Sequence, residues 1–414
     1  MQRDFCNGLV ERFFDKTLAW LSPADESRSM DWTRQLEEIV GIRSVTGEEA
    51  ELSQYVLLRA EEAQQGWGLA IERIGDSVLV GPPRREGTVR PLVVLAGHLD
   101  TVPIADSVWP PEVREGRLFG RGTSDMKSGV AVMLELMSRR NPSDGFADVA
   151  YLYYCGEEGP AAGNDLGKVL EEKSWLQEAG LALLLEPTNG EFELGCQGAM
   201  HIRVTFEGKA CHSARPWTGL QPWIAAAPWL EEVARHPHRV VEMAGVEFRE
   251  LVSVTEVVSG QTKNVIPPNV VVNLNVRYAP DRTWEEAETF ALSLCPQPRP
   301  RVDPEDPYAP RPDEVGVEVG ITDHAPAGTL PLESPIYRHL LESTGLRRNA
   351  KQAWTDVARF SVYGVPALNW GPGDPLLCHR DDESVEIERL AVVYEAMLRF
   401  LSGAGPSVPD RVHT

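Results

Sequence analysis

A histidine and an aspartate stand directly after a short apolar run, residues 92–96. That run predicts a buried strand, because its side chains are all apolar and the run is short. His98 and Asp100 follow two positions apart, so on an extended chain both side chains point to the same side. Asp125 lies in a glycine-rich turn before the apolar segment 130–137, which predicts a helix. Polar side chains are therefore expected at the ends of buried elements.

The same pattern returns further along the chain. Glu157 and Glu158 follow a predicted strand at residues 149–154, and Glu186 follows another at 181–185. His379 stands near the C-terminal end of the sequence. One carboxylate or imidazole after each of several strands is how a site for two metal ions is assembled. Taken singly, each of these residues is more often structural or solvated, and the prediction depends on their fitting together.

Two divalent metals held close together need a bridging carboxylate, because an imidazole offers only one lone pair toward a metal. Asp125 lies between the other candidates in sequence and is the predicted bridge. His98 and Glu186 would complete one position, and Glu158 and His379 the other. Nitrogen and oxygen ligands of this kind suit zinc, with cobalt or manganese as alternatives. The sequence therefore predicts a site for two such ions.

Two further carboxylates are expected to act beside the ligands. Asp100 is placed to accept the second N–H of His98, the usual way in which a ligand histidine is oriented. Glu157 precedes the predicted ligand Glu158, so its side chain can point elsewhere. It is the candidate general base, which takes a proton from a metal-activated water and passes it to a leaving amine.

Composition narrows the class of protein. The chain has 414 residues, which favours two domains, with 42% hydrophobic and 25% charged residues as in soluble globular proteins. A net charge of −22 argues against nucleic acid or an anionic membrane as partner, since both require a basic face. No apolar run approaches the roughly 20 residues that span a bilayer.

The cellular compartment is predicted from the N-terminus and the cysteines. Residues 1–8 lack the apolar core of a signal peptide. The six cysteines form no C-x-x-C pair and are expected to be reduced thiols. A cytoplasmic location is therefore expected.

The order of predicted elements changes along the chain. Up to about residue 196, and again from 327 to 414, strands alternate with helices, which predicts an α/β catalytic domain built from the two segments together. Residues 197–326 follow a strand-helix-strand-strand-helix-strand order that suits a small inserted α+β domain. The proline-rich stretch 296–312 is predicted to be a surface loop, and the tail 403–414 to be mobile.

Three motifs carry a family resemblance that covers nearly the whole chain. Residues 97–103, 120–127 and 157–159 resemble the signature motifs of the co-catalytic zinc aminoacylase, carboxypeptidase and desuccinylase superfamily. Within it, the chain most resembles the succinyl-diaminopimelate desuccinylases, especially the actinobacterial type. The finer match is carried by residues 186–188, 195–198, 212–215, 264–267, 354–360 and 371–375. At residues 221–224 the chain departs from the Asn-Ala-Ile-His that is usual in such desuccinylases.

The resemblance implies a fold and an activity. The fold is a phosphorylase/hydrolase-like mixed-sheet catalytic domain with an inserted ferredoxin-like dimerisation, or lid, domain. The activity is hydrolysis of the succinyl amide of N-succinyl-LL-2,6-diaminopimelate by a homodimer with two metal ions per subunit. Acetylornithine deacetylase, other N-acyl amino acid hydrolases and carboxypeptidases remain alternatives. A catalytically lapsed protein that binds a ligand at its metal site is the alternative outside enzymes.

Further residues are expected to contact the substrate. The resemblance implies that His212 reaches the active site of the partner subunit and stabilises the oxyanion, and that the Asp125–Met126 peptide is cis. Arg277 and Arg215 are the best cations for a substrate carboxylate. Asn264 and Gly373 complete the expected substrate-binding set. A phosphate-binding loop at 120–128 is excluded, because Met126 stands where such a loop needs glycine.

Overall fold

The computed structural model describes residues 31–82, 90–141, 143–260, 262–297 and 314–403. The expectations for the N-terminal residues 1–8 lie outside these ranges, as do nearly all of the predicted loop 296–312 and tail 403–414. The five cysteines within the described ranges are free thiols.

The helices of the described residues alternate with strands along most of the chain. They are α1 (Trp32–Gly41), α2 (Ala50–Trp67), α3 (Ser128–Arg139), α4 (Asp165–Glu172), α5 (Trp223–Ala234), α6 (Trp284–Ser293), α7 (Pro335–Thr344), α8 (Val357–Val362) and α9 (Ile387–Ser402). Local chemistry fixes several of their ends. The side chain of Asp31 accepts a hydrogen bond from the backbone N–H of Arg34 at the start of α1, and Thr283 and Glu286 form a capping box at the start of α6.

The strands of the first half are β1 (Ala70–Ile74), β2 (Ser77–Gly81), β3 (Leu92–His98), β4 (Glu112–Arg114), β5 (Arg117–Phe119), β6 (Asp148–Tyr154), β7 (Leu181–Pro187), β8 (Phe192–Leu194), β9 (Gly198–Glu207) and β10 (Cys211–His212). Those of the second half are β11 (Val240–Met243), β12 (Val246–Arg249), β13 (Leu251–Val258), β14 (Val265–Ile266), β15 (Asn269–Tyr278), β16 (Gly316–Ala325), β17 (Arg348–Ala350), β18 (Ala367–Gly371) and β19 (Ser384–Glu386).

An eight-stranded mixed sheet forms the larger part of the molecule, in the order β1-β2-β6-β3-β7-β18-β8-β17. Its four central strands, β6, β3, β7 and β18, run parallel to one another. These four strands are buried along their whole length, as expected for parallel strands covered on both faces. The predicted α/β class with a large mixed sheet is confirmed.

A second, antiparallel sheet has the order β13-β15-β9-β16. Its chain order is strand, helix, strand, strand, helix, strand, because α5 lies between β9 and β13, and α6 between β15 and β16. Alternate residues of β9 and β15 are buried with Ala226 and Trp229 of α5 and Ala287 of α6 in a hydrophobic cluster of their own. This sheet is therefore covered by helices on one face.

Candidate metal centre

The carboxyl ends of the parallel strands bring the predicted ligands to one edge of the large sheet, where α/β proteins bind their ligands. His98 is the last residue of β3 and Glu186 lies near the end of β7. Glu158 follows β6. His379 lies in the loop after β18, with a left-handed φ of 64°. Asp125 belongs to the irregular turn Thr123–Lys127 before α3.

The carboxylate of Asp125 faces a histidine on each side. Its Oδ1 lies 3.1 Å from His98 Nε2, and its Oδ2 lies 3.4 Å from His379 Nε2. His379 Nε2 is also 2.9 Å from Glu158 Oε1, and His98 Nε2 is 4.0 Å from Glu186 Oε1. The structure therefore brings all five predicted ligands together, with Asp125 in the middle. The Asp125–Met126 peptide is cis, as expected.

Three groups of side chains in the described ranges could each hold a metal ion, with ligand atoms within 4.8 Å of one another. They are His98, Asp125 and Glu186; Asp125, Glu158 and His379; and His98, Glu157 and Glu158. The first two are the predicted pair of positions, and they share Asp125. The third places the carboxylate of Glu157 beside both.

The donor set fits a pair of cations. Glu186 Oε1 is buried and has no hydrogen-bond partner, which is costly for a carboxylate oxygen unless a cation meets it. Burial and the charge of Asp125 raise the pKa of Glu186 to about 8. Burial also raises the pKa of Glu157 well above its usual range, against the lowering effect of His98. This concentration of carboxylates requires positive charge.

The two histidines that face these carboxylates bind protons more tightly than a free imidazole does. Hydrogen bonds to Asp125 and Glu158 raise the pKa of His379 to about 10. Burial opposes protonation of His98, but its hydrogen bond to Asp125 and the charge of Glu186 raise its pKa well above the usual range. Burial would raise the pKa of Asp125, but the bonds from both histidines hold it well below its usual range. The same nitrogen lone pairs would bind a metal, so protons and a metal compete for them.

Asp100 organises two loops at once. Its carboxylate accepts hydrogen bonds from the backbone N–H groups of Glu157, at 3.0 Å, and Glu158, at 2.9 Å, and from the Thr46 hydroxyl, at 2.9 Å. Nδ1 of His98 lies 3.0 Å from the backbone carbonyl of Asp100 and 3.6 Å from its carboxylate. The nearer partner of the histidine is thus the carbonyl, because the carboxylate is turned toward the Glu157–Glu158 turn.

A glycine makes that turn possible. Gly156 has φ +81°, and a Cβ atom there would lie 2.2 Å from the carbonyl oxygen of Gly163. A second close approach occurs at Gly373, where a Cβ atom would lie 2.1 Å from the carbonyl oxygen of Ser124. Gly373 therefore packs against the turn that carries Asp125, which accounts for glycine at this position. A contact between Gly373 and substrate stays a prediction.

His212, Arg215 and Asn264 lie together at the β10–β14 pair and belong to none of the three ligand groups. The N–H of Ser213 donates to the carbonyl of Asn264 at 3.0 Å, and that of Arg215 to the carbonyl of His212 at 2.8 Å. All three residues are exposed. Their predicted roles need a substrate or a second subunit and stay predictions.

Arg277 lies on β15, on the face of the four-stranded sheet opposite α5 and α6. Its Nε donates to Asn275 Oδ1 at 3.2 Å, and no carboxylate of the described residues pairs with it. The guanidinium is half-buried, and burial lowers its pKa from the usual value. An incompletely paired guanidinium of this kind suits a carboxylate ligand.

Sequence reasoning missed three buried charged residues close to the centre. Arg121 and Glu383 form an ion pair behind Asp125. Lys351 pairs with Glu193 at 2.9 Å, and the charges of Glu193 and Glu186 raise the pKa of Lys351 to about 12 although burial opposes this. Arg121 could have been noticed, because it stands between two glycines of the motif at 120–127. No sequence signal distinguishes Glu383 or Lys351.

Comparison with known proteins assigns the chain to a family. The model of Peptidase family M20/M25/M40 matches residues 94–403, a range that contains all five proposed ligands. The chain belongs to this family. It is thus a hydrolase of a metal-dependent family, and its candidate ligand cluster lies at the edge of the parallel strands.

Curated members of the family include close relatives. The chain is 35% identical over 372 residues to a succinyl-diaminopimelate desuccinylase of Corynebacterium glutamicum, covering 88% of this chain and 95% of the relative. It is 29% identical over 420 residues to a succinyl-diaminopimelate desuccinylase of Methylobacterium radiotolerans, covering 91% of this chain and 98% of the relative.

Solved structures share the fold. A tripeptidase from Staphylococcus aureus superposes with a TM-score of 0.69 at 18% identity, over 90% of this chain and 97% of the other. A Bacillus subtilis protein described as a dinuclear metal-binding M20 peptidase superposes with a TM-score of 0.62 at 14% identity, over 90% and 96%. In the described part of the chain, no helix has the length and apolar character needed to cross a membrane.

Proposed function

We propose that this M20 enzyme is a two-metal amide hydrolase that removes the succinyl group from N-succinyl-LL-2,6-diaminopimelate. Water is consumed, and succinate and diaminopimelate are released. The observation that carries the proposal is the shared position of Asp125 between two groups of ligands. The 35% identity to a desuccinylase over 88% of the chain supports the choice of substrate.

The ligand atoms support two metal positions that share one carboxylate. His98, Asp125 and Glu186 would hold one ion, and Asp125, Glu158 and His379 the other. This nitrogen and oxygen set suits zinc, with cobalt or manganese as alternatives. Two bound metal ions would polarise the scissile carbonyl and lower the pKa of a water molecule.

Glu157 is the proposed general base. Its backbone N–H is fixed by Asp100, while its carboxylate lies in one group with His98 and Glu158. A carboxylate held there accepts the proton of the attacking water and then donates it to the amine that leaves. Asp100 holds the turn from which Glu157 acts.

Residues 1–196 and 327–414 are proposed to form the phosphorylase/hydrolase-like catalytic domain, with 197–326 as an inserted ferredoxin-like domain through which two subunits pair. The separate sheet and hydrophobic cluster of β9, β13, β15 and β16 support this division. The two places where the chain passes between the proposed domains lie side by side, since Cys196 and Gly328 exchange backbone hydrogen bonds at 3.2 and 3.0 Å. Such a connection suits a module that approaches a second copy.

His212 is proposed to act on the partner subunit's substrate. Its Nδ1 accepts a hydrogen bond from the N–H of Ala214 at 3.0 Å, so the neutral ring carries its proton on Nε2. That atom is then a donor on an exposed side chain, as an oxyanion requires.

The substrate carries several carboxylates, and Arg277 and Arg215 are the proposed cationic partners for them. Arg277 is the first choice, because it is half-buried and has only Asn275 as a polar partner in the described ranges. Arg215, Asn264 and Gly373 are the other proposed contacts. An N-acetyl substrate lacks the terminal carboxylate of the succinyl group, so this recognition favours the succinyl compound.

A substrate panel tests the proposal. The purified chain is stripped with a chelator, reloaded with zinc, and offered N-succinyl-diaminopimelate, N-acetylornithine, N-acetylmethionine and a dipeptide. We expect the highest kcat/KM for the succinyl compound, and no turnover by the stripped protein. Preference for an acetyl compound or a dipeptide would reassign the enzyme within the family. Absence of zinc binding would contradict the metal centre itself.

A further inference from the structure

Two buried charged residues outside the ligand set lie directly behind the proposed metal centre. Arg121 is 5% exposed and Glu383 is fully buried. Arg121 Nη1 and Glu383 Oε2 are 2.6 Å apart. A buried ion pair is often no more stabilising than apolar side chains of similar volume, so stability alone gives little reason for one here. The contacts of the pair point to another role.

Glu383 holds the backbone of the proposed bridging ligand. Its Oε1 accepts hydrogen bonds from the backbone N–H of Ser124, at 3.0 Å, and of Asp125 itself, at 3.2 Å. Its backbone carbonyl accepts another from the N–H of Gly120 at 3.0 Å. A single residue therefore fixes the turn that carries Asp125 at both its start and its centre.

Arg121 holds the loop that carries His379, the proposed ligand of the second metal position. Its Nη2 donates to the carbonyl of His379 at 3.4 Å, and its Nη1 donates to that of Arg380 at 3.2 Å. Its Nε donates to the carbonyl of Pro103, in the loop after Asp100, at 3.2 Å. The guanidinium thus joins two ligand-bearing loops that are more than 250 residues apart in sequence.

We propose that Arg121 and Glu383 form a positioning unit that fixes the backbone of Asp125 relative to that of His379, and thereby sets the affinity of the metal centre. The inference rests on the two-metal centre proposed above. Neither side chain is a ligand, because each reaches the centre through the backbone of a ligand. Orientation of ligands by such outer contacts is a general requirement of metal sites.

The chemistry of the pair predicts which substitutions break it. Both carboxylate oxygens of Glu383 accept from N–H donors, so a glutamine there must turn its NH₂ group toward a donor on one side. A lysine at position 121 keeps the charge, but a single ammonium cannot reproduce the planar fork that reaches three carbonyls. Glu383→Gln and Arg121→Lys are therefore close in size to the native residues yet unable to keep the contacts.

The chain offers a matched control nearby. Arg117 and Glu386 form a 3.0 Å ion pair between β5 and β19, the strands that lie next to Arg121 and Glu383 in sequence. The remaining contacts of Arg117 are with Ser384, and Glu386 also pairs with Arg389. None of these is a proposed ligand. Arg117→Lys and Glu386→Gln thus make the same two substitutions in a neighbouring, more exposed Arg–Glu pair without touching the backbones of the proposed ligands.

The test is a zinc titration of the chelator-stripped protein by calorimetry, with the melting temperature of each metal-free variant measured in parallel. We expect Glu383→Gln to weaken zinc binding roughly ten- to a hundredfold, the usual effect of losing such outer contacts. Arg121→Lys should weaken chiefly the position that includes His379. The two control variants should bind zinc as the unaltered protein does.

Zinc affinities in folded Glu383→Gln and Arg121→Lys equal to those of the unaltered protein would overturn the inference, even if both variants melted earlier. If Glu383→Gln does not fold, Arg121→Lys decides the question alone. An unaltered protein that binds fewer than two zinc ions would instead contradict the proposed function, which separates the two failures.

Discussion

Asp100 Oδ1 accepts a hydrogen bond from the backbone N–H of Glu157 at 3.0 Å, although 57 positions separate the two residues in sequence. Asp100 lies two residues beyond the proposed ligand His98, and Glu157 is one residue before the proposed ligand Glu158. The bond therefore aligns the loop after β3 with the loop after β6. Loss of this hydrogen bond is expected to cost much free energy, because Asp100 is fully buried and has donors on both oxygens.

Replacing Asp100 by Asn should disrupt this alignment. The amide must present NH₂ to the N–H of Glu157 or Glu158, so one hydrogen bond becomes a repulsive contact. We expect metal affinity to fall roughly ten- to a hundredfold, as for other residues that orient ligands. Thr46→Val is the matched control, because it removes only the hydroxyl that meets the same carboxylate. Calorimetric zinc titration compares the two, and equal affinities would refute the prediction.

Replacing Glu157 by glutamine should reduce turnover and spare metal binding, whereas the same change at Glu158 should weaken metal binding. Glu157→Gln is expected to bind two zinc ions and lose at least about 10²- to 10⁴-fold in kcat, the range that general-base catalysis supplies. Glu158→Gln should weaken the position that it shares with Asp125 and His379. Metal analysis and steady-state kinetics distinguish them. Equal loss of metal in both variants would show that the two roles are assigned wrongly.

Metal binding should release protons near neutral pH. In the metal-free protein, the pKa of Glu186 is about 8 and that of His379 about 10, so both carry protons at pH 7. A metal must displace them, and also the proton that the raised pKa of His98 retains, so at least two protons leave and apparent affinity rises with pH. Calorimetric titrations in buffers of different ionisation enthalpy measure the number released. Heats that do not depend on the buffer would contradict the assignment.

The raised pKa values of Glu186 and His379 also determine how the free energy of unfolding of the metal-free protein depends on pH. Both groups have a higher pKa in the folded protein than in the unfolded chain. Their stabilising contribution is therefore present at low pH and is lost as pH rises through about 8 for Glu186 and about 10 for His379. Thermal melts of the stripped protein at several pH values should follow that direction.

His212 can be tested by mixing two inactive variants. If His212 acts on the partner subunit's substrate, a dimer of His212→Ala with Glu157→Gln has one site that lacks both groups and one site that lacks neither. Activity should then return to roughly half of the unaltered value per mixed dimer, since one complete site remains and an oxyanion donor contributes about 2.7–4 kcal/mol. Mixed dimers that form but stay inactive would rule out a role in the partner's site.

The elements predicted from apolar runs match the structure closely. Predicted strands at 92–96 and 181–185 are observed as Leu92–His98 and Leu181–Pro187, each longer at its carboxyl end. These extensions contain His98 and Glu186, whose polarity hid their place in the strand. Short strands such as Phe192–Leu194 and Arg348–Ala350 were missed, because three residues carry no periodic pattern.

The cluster of proposed ligands was accessible to sequence reasoning because each of them follows an apolar strand or stands in a glycine-marked turn. The residues that hold the proposed ligands in place could not be predicted in this way. Glu383 acts through the backbone N–H of Asp125, and Lys351 meets Glu193, so both depend on contacts between segments far apart in the chain. In sequence, such residues look like any solvated charge. Only packing reveals that they are buried.

His379 enters the centre from the last tenth of the chain, after the separate four-stranded sheet has been completed. A polypeptide emerging from the ribosome displays His98, Asp125, Glu158 and Glu186 long before it displays His379. The position that includes His379 therefore cannot be completed until the whole four-stranded sheet has been synthesised. Selection between zinc and its competitors at that position must follow the synthesis of both proposed domains' sheets.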